Sequence, residues 1–273
     1  MYTRNPLLDH VYSLSPTQIH TVYQIPYPQA CLLYHDLHSN ELKQSIYEDL
    51  THFHVIVITD SDYPVLLKEI PDPPLVLYTI GRLSLLNSQP ALSVIGTRTP
   101  SYEATDKMNY IIRPIVKAGF TIVSGMAKGV DSLAHKLALK EGGKTIAVLG
   151  GGFHHIYPRE NIYLYEKLTE HGLVISEYPP SVKPIRYHFP ERNRIISGLS
   201  YGTVVIEATE KSGTLITVDH ALEQGREVYA VPGSPFIRQT KGCHRMIQDG
   251  AKLVAQAEDI MEDFKNRPPL MLM

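Results

Sequence analysis

The sequence predicts an α/β protein built on a doubly wound, mostly parallel sheet, and three observations predict it. Short apolar runs of strand length recur along the chain from residue 91 onward. The stretches between these runs carry apolar residues at helical spacing. Glycines and polar residues follow directly after the runs, as they do at the carboxyl edge of an open parallel sheet. Strands and helices that alternate in this way form a Rossmann-like core, with helices on both faces of the sheet.

A small helical appendage, predicted at residues 1–50, precedes this core. Its apolar residues recur at helical spacing, at Leu7, Leu8, Val11 and Leu14. Ser15-Pro16 then marks the start of a second helix, because serine caps helix amino termini and proline fits their first turn. From residue 51 the pattern changes to β-branched and apolar runs at residues 55–58 and 75–78. We expect these two runs to be extra N-terminal strands of the main sheet.

Six apolar runs are the predicted strands of the core domain, which spans residues 51–256. They are residues 91–95, 120–124, 145–149, 173–177, 203–207 and 227–231. Between them lie amphipathic stretches, such as the one that contains Met108, Ile111, Ile112, Ile115 and Val116. Glycines that would end such helices stand at positions 119, 172 and 225. After Gly250 we expect a short strand and an acidic helix, with a helical tail at residues 257–273.

Composition limits what the protein can do. The formal net charge of the 273 residues is −2, so any phosphate contact must come from a local patch rather than from the whole surface. The two cysteines, Cys31 and Cys243, are too few for a disulfide framework, which fits a reducing compartment. The amino terminus lacks the apolar region of a signal peptide, and no later run reaches membrane-spanning length. We therefore predict a cytoplasmic protein without membrane contact.

No metal and no cofactor is predicted. The 13 histidines include three close pairs, at His35/His38, His52/His54 and His154/His155. None of these pairs stands in an HExxH or Cys/His ligand spacing. Solvated or packed histidines explain them.

Two loops at strand ends carry glycines beside polar or cationic residues. Gly96 and Arg98 follow the first core strand, where glycine allows close approach and arginine offers a planar fork to phosphate. The second core strand ends in SGMAKGVD, residues 124–131. Gly125 and Gly129 there leave backbone amides at a helix amino terminus available to an anion. Neither loop has the GxGxxG spacing, and the lysine-serine pair of a Walker loop is missing. Taken alone, each loop is also explained as a tight strand-to-helix turn.

The next three loops add most of the cationic and aromatic side chains. LGGGFHHIYPREN, at residues 149–161, holds three glycines and Arg159. KPIRYHFPERNR, at residues 183–194, holds four Lys/Arg residues against one glutamate, interleaved with Tyr187, His188 and Phe189. The last loop holds Lys211, Ser212 and Gly213 just before a helix.

Cations that track a backbone, with rings on which bases stack, suit sequence-tolerant binding of a nucleic-acid single strand. The loop at 183–194 is also explained as a solvated loop whose aromatic residue packs on the core. Ser212 or Thr214 could simply cap the helix that follows. Independent capping explains poorly why five loops at one sheet edge all carry donors, glycines or cations. The combined pattern favours an extended anion-binding crevice.

The motifs of the chain, in their order, resemble those of the DNA-processing protein A family (DprA, also called Smf). They are GTR, SGMAKGVDSLAH, TIAVLGGG with YPREN, ISEYPP, FPERNRIISGLS, EATEKSGTLIT and VPG, within residues 75–254. The resemblance implies a non-enzymatic protein that binds and protects incoming single-stranded DNA in natural transformation, helps to load RecA, and usually acts as a homodimer. The helical amino-terminal segment is similar to the small sterile-alpha-motif-like domain of some members.

The resemblance also implies a DNA pocket, carried over motif by motif. Its residues are Gly96, Arg98, Ser124, Gly125, Lys128, Gly129, Arg159, Arg186, Phe189, Arg192, Lys211, Ser212 and Gly213. Arg98 would contact a phosphate and Phe189 would stack on a base, whereas Arg192 is also explained as a residue that holds its loop in place. One departure is that Gly242-Cys243-His244 stands where the family commonly has a glycine, any residue and asparagine. The winged-helix-like domain that follows the core in many members is not recognised here.

Two other functions stay open from the residues alone. Related Rossmann-like hydrolases cleave the N-glycosidic bond of nucleotides with a PGGxGTxxE loop, but here Thr217 stands where the glutamate would fall. Glu207 and Asp131 are the remaining acids, although acids at a strand end or a helix start are more often structural. A nucleotide sensor would use the same loops without a groove of strand length.

Overall fold

The computed structural model describes residues 9–265. The chain divides into two compact units, with the boundary between His54 and Val55. The predicted helical positions Leu7 and Leu8, and residues 266–273 of the predicted tail, lie outside the described residues.

The first unit is helical, which confirms the predicted appendage. After a 3-10 turn at Asp9–Ser13, its helices are α1 (Pro16–Tyr23), α2 (Tyr27–His38) and α3 (Asn40–His52). Ser15 caps α1, since its hydroxyl accepts from the Gln18 amide at 3.4 Å and its own amide donates to the Gln18 side chain at 2.8 Å. Val11, Ile19, Tyr23 and Ala30 are buried together as a small core.

The second unit contains a sheet of nine described strands, which confirms the doubly wound, mostly parallel prediction. They are β1 (His54–Val57), β2 (Val76–Gly81), β3 (Ala91–Ile95), β4 (Thr121–Ser124), β5 (Lys144–Leu149), β6 (Leu173–Ser176), β7 (Gly202–Val205), β8 (Glu227–Ala230) and β9 (Lys252–Leu253). Their order across the sheet is β1-β2-β6-β5-β4-β3-β7-β8-β9. Strands β3 to β9 pair in parallel, and β2 pairs with β6 antiparallel. The two predicted extra strands, β1 and β2, therefore extend the same sheet.

The strand order reverses at β3. The chain proceeds from β3 through β4 and β5 to β6 on one side, and then crosses back to β7 on the other side. An open α/β sheet binds its ligand outside the carboxyl ends of the strands at such a reversal. The loops that follow β3, β4 and β7 therefore meet where a ligand is expected.

Helices cover the sheet. They are α4 (Val65–Lys68), α5 (Ala104–Lys107), α6 (Arg113–Lys117), α7 (Val130–Lys140), α8 (Ile162–His171), α9 (His188–Gly198), α10 (Thr214–Glu223), α11 (Lys241–Gln248) and α12 (Glu258–Lys265). A π-helical turn at Met108–Ile112 joins α5 to α6 and comes just before Pro114. Because proline has no amide hydrogen, the regular helical hydrogen-bond ladder cannot continue through Pro114. No helix within residues 9–265 is both long enough and apolar enough to cross a bilayer.

One large apolar cluster packs on the sheet. It joins β3, β4, β7 and β8 to the α5–α6 stretch, α7 and α12, with Ile112, Ile122 and Ile260 fully buried. The Phe264 ring of α12 lies 4.9 Å from that of Phe120, centroid to centroid. The described part of the predicted tail is therefore packed on the core.

His135 of α7 is a buried ionisable group beneath this sheet. Its Nδ1 lies 2.7 Å from the Thr145 hydroxyl, and burial, together with Arg192, lowers the pKa of His135 to about 3. The unfolded chain takes up this proton near pH ~6.5, whereas the folded protein does not until about pH 3.

We expect the free energy of unfolding to fall by about 1.4 kcal/mol per pH unit as the pH drops below ~6.5, because only the unfolded state gains the His135 proton. Urea titrations of the wild type and His135→Gln between about pH 7 and pH 5 measure this. The wild type should lose ~2 kcal/mol more than the variant over that interval. Parallel pH profiles for the two proteins would contradict the assignment.

Candidate nucleic-acid interface

A cleft of about 680 Å³ opens at the carboxyl edge of the sheet, at the reversal of strand order. Seven of the predicted site residues line it: Gly96, Arg98, Arg186, Phe189, Arg192, Ser212 and Gly213. Gly125 and Lys128 line a smaller adjoining cavity, which shares Arg98, Tyr157 and Phe189 with the cleft. Loops that are far apart in the sequence are thus brought to one place.

The centre of the cleft is a cluster of one cation and two rings, Arg98, Phe189 and Tyr157. The guanidinium carbon of Arg98 lies 5.9 Å from the centroid of the Phe189 ring, within cation–π range. The Tyr157 ring lies 5.4 Å from the same ring, and its side chain is 50% exposed. Arg98 is exposed, and within residues 9–265 it forms no ion pair. This ring cluster offers a charge and π-faces to a ligand.

The position of Phe189 depends on the glycines of the third loop. A Cβ atom on Gly150 would lie 2.9 Å from the Phe189 ring, which is closer than real contacts allow. Gly150 therefore lets the ring lie against the end of β5. The glycine at position 150 is therefore required by close packing of the ring against the loop.

The predicted loop at 183–194 ends where α9 begins at His188, and Arg192 of α9 is buried, unlike Lys183 and Arg186 of the loop before it. It is 4% exposed, and its Nη1 donates to the carbonyl of Gly125 at 2.6 Å and to that of Val148. Burial lowers the pKa of Arg192 to about 10. A Cβ on Gly125 would meet the guanidinium at 2.4 Å, so glycine is needed there. Arg192 thus ties the loop after β4 to the end of β5.

The carboxylate of Asp131 accepts hydrogen bonds from backbone amides of the loop that was predicted to bind a phosphate. Its carboxylate accepts from the amide of Gly125 at 3.2 Å and from that of Ala127 at 3.4 Å. Burial raises the pKa of Asp131, while Arg192 opposes the shift. The Ser124 hydroxyl donates to the Val94 carbonyl at 2.7 Å. Ser124 and Gly125 therefore build the loop with bonds made inside the protein.

The remaining predicted residues lie around the cleft. Lys128 forms an ion pair with Glu160, and Gly129 caps α7 without lining the cleft. Arg159 and Lys211 are exposed but do not line it. Across residues 9–265, neither of these two cations forms an ion pair.

Glu207, the acid at the end of β7, is also engaged inside the protein. It is fully buried and accepts from the Ser101 amide at 2.8 Å, the Ser101 hydroxyl at 2.5 Å and Lys107 Nζ at 2.9 Å. Both carboxylate oxygens hold the loop that follows Arg98. Glu207 does not line the cleft, and Asp131 lines it with a carboxylate that already accepts from two backbone amides.

Tyr157 was missed among the predicted site residues. It belongs to the YPREN motif, from which only Arg159 was selected, yet Tyr157 lines the cleft and Arg159 does not. The sequence did carry a signal for Tyr157, because an aromatic residue two positions before the cation Arg159 has the composition of a base-stacking loop.

The fold and this cleft define a class: a Rossmann-like protein whose open sheet edge presents cations and aromatic rings together. The family model of DNA recombination-mediator protein A matches residues 54–265. The chain belongs to that family, which confirms the resemblance found in its motifs.

Relatives and solved structures agree with this membership. The chain is 47% identical over 212 residues to the DNA processing protein DprA of Bacillus subtilis, covering 78% of this chain and 71% of that protein. It is 46% identical over 214 residues to the protein Smf of Synechocystis, covering 77% of this chain and 54% of that protein. The X-ray structure of DprA from Streptococcus pneumoniae superimposes with a TM-score of 0.83 at 38% identity, covering 92% of this chain and 87% of that one.

A second solved structure is that of DNA processing protein A from Helicobacter pylori, described for its single-stranded-DNA-binding mode. It superimposes with a TM-score of 0.70 at 27% identity, and covers 79% of this chain and 97% of that one.

Proposed function

We propose that the chain binds single-stranded DNA in the cleft, protects it, and helps to load RecA on it during the recombination of incoming DNA, acting as a homodimer. The ring cluster of Arg98, Phe189 and Tyr157 is the observation that carries the proposal. The single-stranded-DNA-binding mode described for the H. pylori relative supports it.

The geometry suits a single strand better than a duplex. The π-faces of Phe189 and Tyr157 accept any base, since every base has a π-face of its own. Bases in a duplex already stack on one another, so their faces are not open to these two rings. Arg98 and Arg186 line the cleft and neutralise phosphates, which confines DNA binding to this edge of a protein with net charge −2.

The cleft acts by binding rather than by hydrolysis in this proposal. An N-glycosidic hydrolase needs a positioned carboxylate. Asp131 and Glu207 instead hold backbone and side-chain groups of the protein. We therefore assign the cleft no catalytic residue.

A fluorescence anisotropy titration with oligothymidine, duplex DNA and thymidine monophosphate over a salt series tests the proposal. We expect the oligonucleotide to bind most tightly, with log K falling linearly against log salt by ~0.7 for each phosphate contacted. Arg98→Ala should reduce that slope by about the same ~0.7 and weaken binding to all sequences alike.

Lys167→Ala is the matched control, because it removes an exposed cation of α8 that pairs with Glu170 outside the cleft. This variant should keep the wild-type slope. Oligothymidine that binds no better than the mononucleotide would overturn the proposal in favour of a nucleotide sensor.

A further inference from the structure

We call residues 231–241 the β8 loop; it runs from the end of β8 to the first residue of α11 and continues the row of carboxyl-edge loops beyond the cleft. Strand β7 pairs in parallel with β3 on one side and with β8 on the other. The loops that follow these strands therefore lie side by side, in the order β3, β7, β8. Arg98 belongs to the first of these loops and Lys211 to the second. The β8 loop is the next surface that a strand leaving the cleft would meet.

Hydrogen bonds attach the β8 loop region to both neighbours. The Gln239 side-chain amide donates to the carbonyl of Thr99, the residue after Arg98, at 3.1 Å. Just beyond the loop, the amide of Gly242 donates to the carbonyl of Ala208, in the loop of Lys211, at 2.8 Å. The β8 loop is thus joined to the loops that carry the cations of the site.

Phe236 projects from this loop with 95% of its surface exposed. The backbone around it is held, since the Thr240 hydroxyl donates to the Ser234 carbonyl at 2.6 Å and the Phe236 amide donates to the Ser234 hydroxyl at 3.3 Å. The loop therefore has a defined conformation, and the ring contributes little to the packing of the chain.

The segment that carries the ring is cationic in sequence. The segment PGSPFIRQTK, residues 232–241, contains Arg238 and Lys241 and no acid. Both cations are exposed, and in the part of the chain from 9 to 265 neither forms an ion pair. A contiguous exposed apolar patch is the usual mark of a protein-docking surface. A lone ring beside unpaired cations is instead the composition of a track for single-stranded nucleic acid.

We propose that the β8 loop is a second contact site for single-stranded DNA. Phe236 stacks on a base of the strand that leaves the cleft past Arg98, and Arg238 and Lys241 neutralise its phosphates. The site rests on the proposed function of the cleft and extends it, so long strands engage both sites and short ones the cleft alone.

Binding to oligothymidines of two lengths tests this, about 4 and about 16 nucleotides, the range of site sizes of compact single-strand-binding folds. Phe236→Ala should weaken binding of the long oligonucleotide about five-fold or more, the effect of losing one stacked base, and leave the short one unchanged. Phe189→Ala, in the cleft, should weaken both.

A tryptophan at position 236 gives a direct readout, because the chain contains no tryptophan. The fluorescence of Phe236→Trp should be quenched by the long oligonucleotide and not by the short one. Leu222→Trp is the control, because Leu222 is 60% exposed near the end of α10 and lines neither cavity of the cleft. Its emission should not respond to either length.

These experiments distinguish failure of the second site from failure of the proposed function of the cleft. If neither wild-type length binds, the proposed function of the cleft fails. If both bind, and Phe236→Ala leaves the long-strand affinity unchanged, the second site alone is overturned. Loss of self-association in sedimentation of Phe236→Ala, with unchanged DNA affinity, would reassign the ring to a contact between two copies of the chain and likewise overturn the site.

Discussion

Replacing Phe189 with alanine should weaken binding of oligothymidine by ~1–3 kcal/mol, or about five-fold to more than a hundred-fold. The variant removes the ring against which both Arg98 and Tyr157 lie, so the centre of the ring cluster is lost. Anisotropy titrations at one fixed salt concentration measure the change. The salt slope should stay near the wild-type value, because no phosphate contact is removed.

Two further variants test whether the loss of affinity comes from the ring of Phe189 itself. Phe189→Tyr keeps a ring at the same position and should retain most of the affinity. Tyr163→Ala removes a ring that is 70% exposed on α8 and does not line the cleft, and it should bind as the wild type does. Equal affinity of Phe189→Ala and the wild type would show that bases do not stack in this cleft.

RecA gives the same substitution a second readout. If the chain presents a bound strand to RecA, Phe189→Ala should reduce the amount of RecA recovered on oligothymidine in the presence of single-strand-binding protein. Raising the concentration of the variant should restore it, because the defect is in DNA affinity. A defect that persists at saturation would place Phe189 in a contact with RecA instead.

Replacing Arg192 with methionine should lower the free energy of unfolding by about 3–5 kcal/mol, because it removes the hydrogen bonds of a buried guanidinium to two carbonyls, each worth about 1.5–3 kcal/mol. The change leaves the carbonyls of Gly125 and Val148 without this donor, and it removes the buried cation that opposes the rise in the pKa of Asp131. Urea unfolding should show a lower midpoint at an unchanged slope.

Arg186→Met is the matched control for Arg192, because Arg186 is an exposed cation of the same basic segment, just before α9. It should change stability by less than ~0.5 kcal/mol. Adding Asp131→Asn to Arg192→Met should recover part of the loss, since the amide carries no charge to bury. A stable Arg192→Met protein that binds DNA weakly would instead assign Arg192 to the ligand.

Most of the fold could be predicted because its signals are local. Each core strand is a short apolar run bounded by polar residues, and β3 coincides with the predicted residues 91–95. The start of α1 was marked by Ser15-Pro16. The π-helical turn before Pro114 was not predicted, since its apolar spacing is that of an ordinary helix.

The site was less predictable, because contacts between residues far apart in the chain decide which side chains line the cleft and which are buried. Arg186 and Arg192 stand in one basic segment and look alike in the sequence. One lines the open cleft while the other is buried on Gly125, 67 residues earlier in the chain. Asp131 resembled a helix-start acid, and only its position beneath the loop shows which amides it occupies.

The sequence by itself determined the fold class, the order of the loops at the sheet edge, and the family, because periodicity and ordered motifs are local features of the chain. The tertiary structure alone decided which cations face solvent, that Tyr157 joins Phe189, and that the β8 loop borders the site. The physical reason is that exposure and charge pairing depend on which strand ends lie side by side. In this sheet the neighbours β3 and β7 are more than a hundred residues apart in the chain, as the pair Leu92 and Gly202 shows.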